Sequence, residues 1–254
     1  MGSLAISGVV FGCVFGGTVL GMVLRAVLPK GHLSEESKDV VKLGMGLVGT
    51  MTALVLGLMI ASAKSSFDTQ RVGLAQLCGN VILLDRVLAH FGPETKDARD
   101  MLRVAVIDTF QRAWPKKNPE SGQAAAKAGT EGRYSGLYDK IHGLEPKNDT
   151  QRSLQAQALK TAMDTAQMRW ALIEERGSSI PVPFLVVMVV WLALLFASFS
   201  LFAPPNPTVV ATLTICALSI SSALFLILEM DQPFGGFMRL SDAPVRIALE
   251  KLGR

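Results

Sequence analysis

The chain has 254 residues, half of them apolar, with 25 Lys plus Arg against 21 Asp plus Glu and a formal net charge of +4. Charges of both signs alternate through its middle, so it lacks the concentrated basic face that a nucleic-acid footprint needs, and no nucleic-acid partner is expected. Cys13, Cys78 and Cys216 all fall in apolar stretches, which is not where a secreted disulfide framework would put them.

Four stretches carry no Asp, Glu, Lys or Arg: Leu4 to Leu24, Leu43 to Ala63, Val182 to Ala203 and Thr208 to Leu228. Each is close to the roughly 20 residues that a helix needs to cross the hydrocarbon core of a bilayer. A charge at mid-bilayer costs roughly 2.5 to 3.5 kcal/mol on insertion scales, so four such stretches define an integral membrane protein. The first has no basic residue before it and is longer than a signal peptide's apolar core, so a retained helix is expected. Gly8, Gly12 and Gly16 recur on one face of it, with Gly17 and Gly21 as a second pair. Small residues at this interval let helix backbones approach closely in lipid, and Gly8, Gly12 and Gly16 are expected to form a packing face.

The second stretch contains Gly44, Gly46, Gly49 and Gly57, which permit crowding around an axis. Beyond it Leu74, Leu77, Val81, Leu84 and Leu88 continue at helical spacing, and no breaker intervenes before Gly92-Pro93. One long helix leaving the membrane is predicted. If copies of it surround an axis, Thr50, Leu54 and Leu58 are candidates for a pore constriction, and Lys64, Asp68 and Arg71 for a charged vestibule.

The middle of the chain reads as helical. Glu94 to Trp114 forms a helix ended by Pro115, and Lys116 to Gly132 is too polar and Gly-rich to order, so it reads as a mobile loop. A short helix is expected over Tyr134 to Leu144. A longer one, capped by Asp149 or Thr150, runs to about Arg176 with Leu154, Leu159, Met163, Trp170 and Ile173 inward. Strand signals are absent.

The third and fourth stretches are joined by Pro204-Pro205-Asn206-Pro207. The polar side chains inside the spans are mostly small hydroxyls, among them Thr50 and Thr52, then Ser198 and Ser200, then Thr212, Thr214, Ser219, Ser221 and Ser222. They bond back to the preceding helical turn or line a water-filled path. The expected architecture is all-α, with a first membrane hairpin at 1–63, a helical cytoplasmic domain at 64–180, a second hairpin at 181–232 and a cytoplasmic tail at 233–254. Lys and Arg near the span ends favour the side carrying the middle domain and both termini, which places them in the cytoplasm.

A reactive constellation is missing. His32, His90 and His142 have no metal-ligand spacing with one another or with the cysteines, and no phosphate loop, zinc-protease helix or nucleophile elbow occurs. No enzyme, metal or cofactor is expected.

After the fourth span come Glu229-Met230-Asp231-Gln232-Pro233-Phe234-Gly235-Gly236 and then Ser241-Asp242-Ala243-Pro244. An apolar helix ending in an acid and then Pro233, Phe234 and Gly235 resembles the segment after the last membrane helix of bestrophins. The order of two spans, helical insertion, two spans and tail is also similar, and the chain resembles the bacterial bestrophin-like family over nearly all its length. The resemblance implies a homo-oligomeric ion channel, pentameric and in animals largely for anions, in a bacterial inner membrane. The acidic run that forms the calcium clasp of animal bestrophins is replaced by Gly236-Phe237-Met238-Arg239, so calcium gating is not implied. The alternative is a membrane-anchored scaffold or regulatory subunit whose cytoplasmic part docks a protein partner.

Overall fold

In the computed structural model, which describes residues 2–29, 35–114, 136–174, 180–204, 206–232 and 234–253, each charge-free stretch forms one α-helix, the third ending one residue early because Ala203 is its extended C-cap. These helices are α1 (Ser3–Val27), α2 (Glu35–Phe91), α6 (Val182–Phe202) and α7 (Pro207–Met230). All four are long and apolar enough to cross a membrane. Between α2 and α6 stand a 3-10 turn (Pro93–Thr95), α3 (Lys96–Ala113), a helical segment α4 at 136–142 and α5 (Asp149–Glu174); α8 (Ala243–Lys251) closes the chain. No strand occurs among the described residues.

The predicted continuity of the second span is seen directly: α2 runs 57 residues without interruption, well over twice what a crossing needs. It stops where Gly92 turns the chain at φ 142°, a value that L side chains rarely adopt. Thr95 fastens the corner, its hydroxyl 2.6 Å from the Leu88 carbonyl oxygen and 2.8 Å from that of Gly92. The next helix therefore begins with the 3-10 turn and becomes α-helical only at Lys96, slightly later than the sequence suggests.

Contacts divide the chain into two units. The first holds Met1–Phe67 and Ser178–Met238, and the second Asp68–Gly177 and Arg239–Arg254. In the first, α1 packs against both α6 and α7. Closest approach comes at Gly17 and Gly21, where a Cβ would collide with the backbone oxygens of Ala193 and Ala197 and with the Ser200 hydroxyl. Val10, Val14, Met188, Leu192, Phe196, Ala217 and Leu224 fill the space around this contact.

The second unit is a helical cluster with an apolar interior. Leu74, Leu77, Val81, Leu84 and Leu88 of α2 are all buried, as their spacing predicts, and Leu102 and Val106 of α3 join them. The tail belongs here from Arg239 onward. Leu240, Val245, Ala248 and Leu252 are buried, α8 packs on α3, and the Trp114 indole donates to the Leu240 carbonyl oxygen at 3.1 Å.

Two expectations for α5 need correction. Its cap is Asn148, whose side-chain oxygen accepts from the Gln151 amide at 2.7 Å, so the capping residue stands one place before Asp149. Its inward stripe is Ala158, Thr161, Ala162, Thr165 and Arg169, while Met163 and Trp170 are exposed and Leu154 and Leu159 half-buried. Elsewhere on α5 a large side chain is accommodated by its neighbour: a Cβ on Gly73 of α2 would lie 3.1 Å from the Leu172 side chain. Lys30, Pro115, the stretch 116–132, Arg176 and Pro233 lie outside the described residues, as does the side chain of Ile173.

Candidate functional site

Of the four spans, α2 is the least covered by the rest of the chain. Leu43, Leu47, Leu54 and Leu58 are 65% exposed or more, and Thr50 is exposed among them. Thr52, Met59 and Ala63 point the other way and are buried. The helical repeat thus gathers Thr50, Leu54 and Leu58 onto a single uncovered face, with Lys64 exposed at the end of the charge-free stretch. Farther along the same helix, in the second unit, Asp68 and Arg71 are exposed too.

The Thr50 hydroxyl lies 2.8 Å from the Gly46 carbonyl oxygen and 2.9 Å from that of Leu47. Thr52, Ser200, Thr212, Thr214, Ser219, Ser221 and Ser222 likewise bond to carbonyls of the preceding turn. A hydroxyl facing hydrocarbon has no water to bond, and the nearest acceptor is its own helix. Only the exposed face of α2 therefore distinguishes Thr50 from the other hydroxyls.

The two glycine sets of α1 have different surroundings. Gly8, Gly12 and Gly16 are exposed, and a Cβ on any of them would meet nothing within 4 Å. Gly17 and Gly21, the second pair, make the contact with α6. Arg25, one turn beyond, donates to the carbonyl oxygen of Ala203 at the end of α6.

The turn after α7 is organised by a residue other than the three singled out there. Phe234 is half-buried, Gly235 is exposed with open space where its Cβ would be, and Pro233 lies outside the described residues. Glu229, the acid preceding them, is 3% exposed. Its Oε1 accepts from the Ser3 hydroxyl at 2.6 Å, and its Oε2 accepts from the Phe237 amide at 2.5 Å. Gly236 has φ 71°, and a Cβ there would strike the Glu229 carboxylate. An acid just inside the end of an uncharged span was a signal in its own right, because burying it needs partners. Ser3, 226 positions away, had no such signal.

In the second unit the buried Asp85 forms an ion pair with the part-buried Arg99. Arg99 donates through Nε and Nη2 to the two oxygens of Asp85, at 2.7 and 3.0 Å, and the Gly253 amide reaches the same carboxylate at 3.2 Å. The hydrogen bond to Asp85 raises the guanidinium's pKa. Burial pushes the Cys78 thiol up to about 11. On the surface, Lys147 bonds Glu94 at 2.7 Å, which lowers the carboxyl's pKa and raises the amine's. Among the described residues, no group of three His, Cys, Asp or Glu side chains could hold a metal ion.

Four apolar helices, one of them bare along a face, define a multi-span helical membrane protein. The family model described as the Bestrophin-like domain matches residues 12–245. The chain belongs to the bestrophin-like family. No curated protein matches the sequence. Among solved structures, a single-residue variant of a bacterial bestrophin homologue from Klebsiella pneumoniae superposes with a TM-score of 0.69 at 15% identity, over 99% of this chain and 97% of that one. The homologue solved by zinc anomalous phasing gives 0.65 at 14% identity, over 93% and 96%. At such identities the likeness establishes a shared fold. Family membership supports a channel in general terms and gives no indication of an enzyme.

Proposed function

We propose that this chain is the subunit of a homo-oligomeric ion channel in a bacterial cytoplasmic membrane, with the α2 helices of several copies lining the path. Family resemblance suggests five copies. The observation that carries the reading is the uncovered face of α2, where large apolar side chains stand in the open although the other spans bury a share of theirs. Around an axis, Thr50, Leu54 and Leu58 form a narrow apolar constriction that gates by dewetting, and Lys64, Asp68 and Arg71 surround its mouth. The exposed Gly8, Gly12 and Gly16 offer a packing surface for a neighbouring copy or for lipid. Residues 1–63 and 181–232 form the membrane part, and 64–180 and 233–254 lie in the cytoplasm with both termini.

Purified protein reconstituted in liposomes tests this through ion flux, with subunit number read from mass measurement in mild detergent. Flux blocked by thiol reagents at cysteines placed at Thr50, Leu54 and Leu58, and unaffected at Thr52 or Met59, which point the other way, is the expected pattern. A stable oligomer that passes no cation or anion would favour the membrane-anchored scaffold instead. A solitary chain in every mild detergent would leave no way to enclose a pore.

A further inference from the structure

The first turn of α1 lacks the usual means of settling a helix start. Gly2 stands at the cap position without a side chain to accept from the helix amides, and the first turn contains no acidic residue. The partial positive charge of a helix N-terminus is stabilised by a nearby anion, and Glu229 brings one to the first residue of α1 from the far end of the sequence. Both carboxylate oxygens have donors, and the donors come from opposite ends of the unit: the Ser3 hydroxyl at the start of α1 and the Phe237 amide in the turn after α7. Ser3 and Glu229 are both buried. Around the carboxylate the turn is wound tightly, with Gln232 N bonding Glu229 O at 3.1 Å and Gly235 N bonding Gln232 O at 3.0 Å. Gly236, in its left-handed conformation, leaves the room that the carboxylate occupies.

We propose that Glu229 is a latch, and that the start of α1 and the turn after α7 open and close as one cooperative unit under its control. A buried carboxylate that loses one donor must find water or another partner, so either segment detaching removes the reason for the other to stay. The N-terminal turn and the exit turn then share one opening equilibrium although they are remote in sequence.

Hydrogen exchange read by mass spectrometry on the full chain in detergent tests this. The peptides to follow cover residues 3–8 and 234–240. Ser3→Ala is expected to speed exchange in 234–240, and Gly236→Ala to speed it in 3–8, each by about tenfold, as expected from losing a hydrogen bond to a charged group. Glu229→Gln should speed both together, and adding Ser3→Ala to it should change the exit turn little further. Should Glu229→Gln fail to fold, the two single changes at Ser3 and Gly236 still decide the matter. Segments that respond only to the substitution within themselves would overturn the latch. Exchange in 234–240 that slows with added calcium and quickens with a chelator would overturn it as well, since a cation would then be holding the turn.

Discussion

The two units of this chain solve the problem of burial in opposite ways. In the first unit the tightest contact is between backbones: Gly17 and Gly21 let α1 approach α6 at Ala193 and Ala197, while many other leucines and valines of the spans face outward. In the second unit the leucines of α2 are inside, Gly73 makes room for the Leu172 side chain, and α5 turns small Ala and Thr residues inward. Charge follows the same division. Among the described residues the second unit pairs a buried Asp with a part-buried Arg, whereas the first buries a carboxylate held by neutral donors. The same side-chain chemistry therefore carries different costs in the two units, depending on what surrounds the folded helix.

The sharpest way to break the comparison is at Gly21. Gly21→Leu places a side chain on the α6 backbone, and the expected result is a loss of folded protein or a fall in melting temperature of roughly 5 to 10 °C in detergent. Gly12→Leu, on the open face, should leave the melting temperature of the single chain unchanged; any loss of oligomer after it would show that this face packs between copies. Next in size is Asp85→Ala, which strands Arg99 and releases the Gly253 amide. A loss of about 3 kcal/mol by denaturant titration is expected, with much of it recovered in the Asp85→Leu, Arg99→Met double variant. Full destabilisation in the double variant would mean that the charge pair itself, rather than its pairing, supports the fold.

Cys78 gives a smaller effect. With its thiol raised to about 11, it should carry roughly a hundredfold less thiolate near pH 8 than an ordinary cysteine and label correspondingly slowly. Because the folded chain holds that proton more tightly than the unfolded one, stability falls as pH rises from the ordinary thiol range towards 11. Fast labelling at neutral pH would mean that the second unit opens readily at α2. The smallest effect is expected for Glu94→Gln. Its partner Lys147 is exposed, so the melting temperature should not move measurably, although the carboxyl titrates below its ordinary range in the intact pair.

The spans were legible because hydrocarbon imposes a severe rule: about 20 residues without charge leave few other readings. The soluble part of α2 was legible too, since Leu74 to Leu88 repeat with the helical period up to an unmistakable stop at Gly92-Pro93. The inward face of α5 was not. Hydrophobicity points to Met163 and Trp170, but the buried face carries Ala158, Ala162 and Thr165, and which face is covered depends on packing against the rest of the unit. Asp85 was overlooked as one carboxylate among many, although its place beside Leu84 and between Val81 and Leu88 puts it on the buried face. The Glu229 partners were beyond reach for another reason. Spacing along the chain encodes contacts within a helix and says nothing about residues 226 apart.

The α1–α6 contact also has a calorimetric consequence. Helices that meet in lipid expel hydrocarbon, not water, so their separation adds little hydration of apolar surface and little heat-capacity change. The curvature of the stability profile with temperature should then arise from residues 68–177 and 239–253. Cold should loosen that part first and leave the glycine seam between α1 and α6 in place.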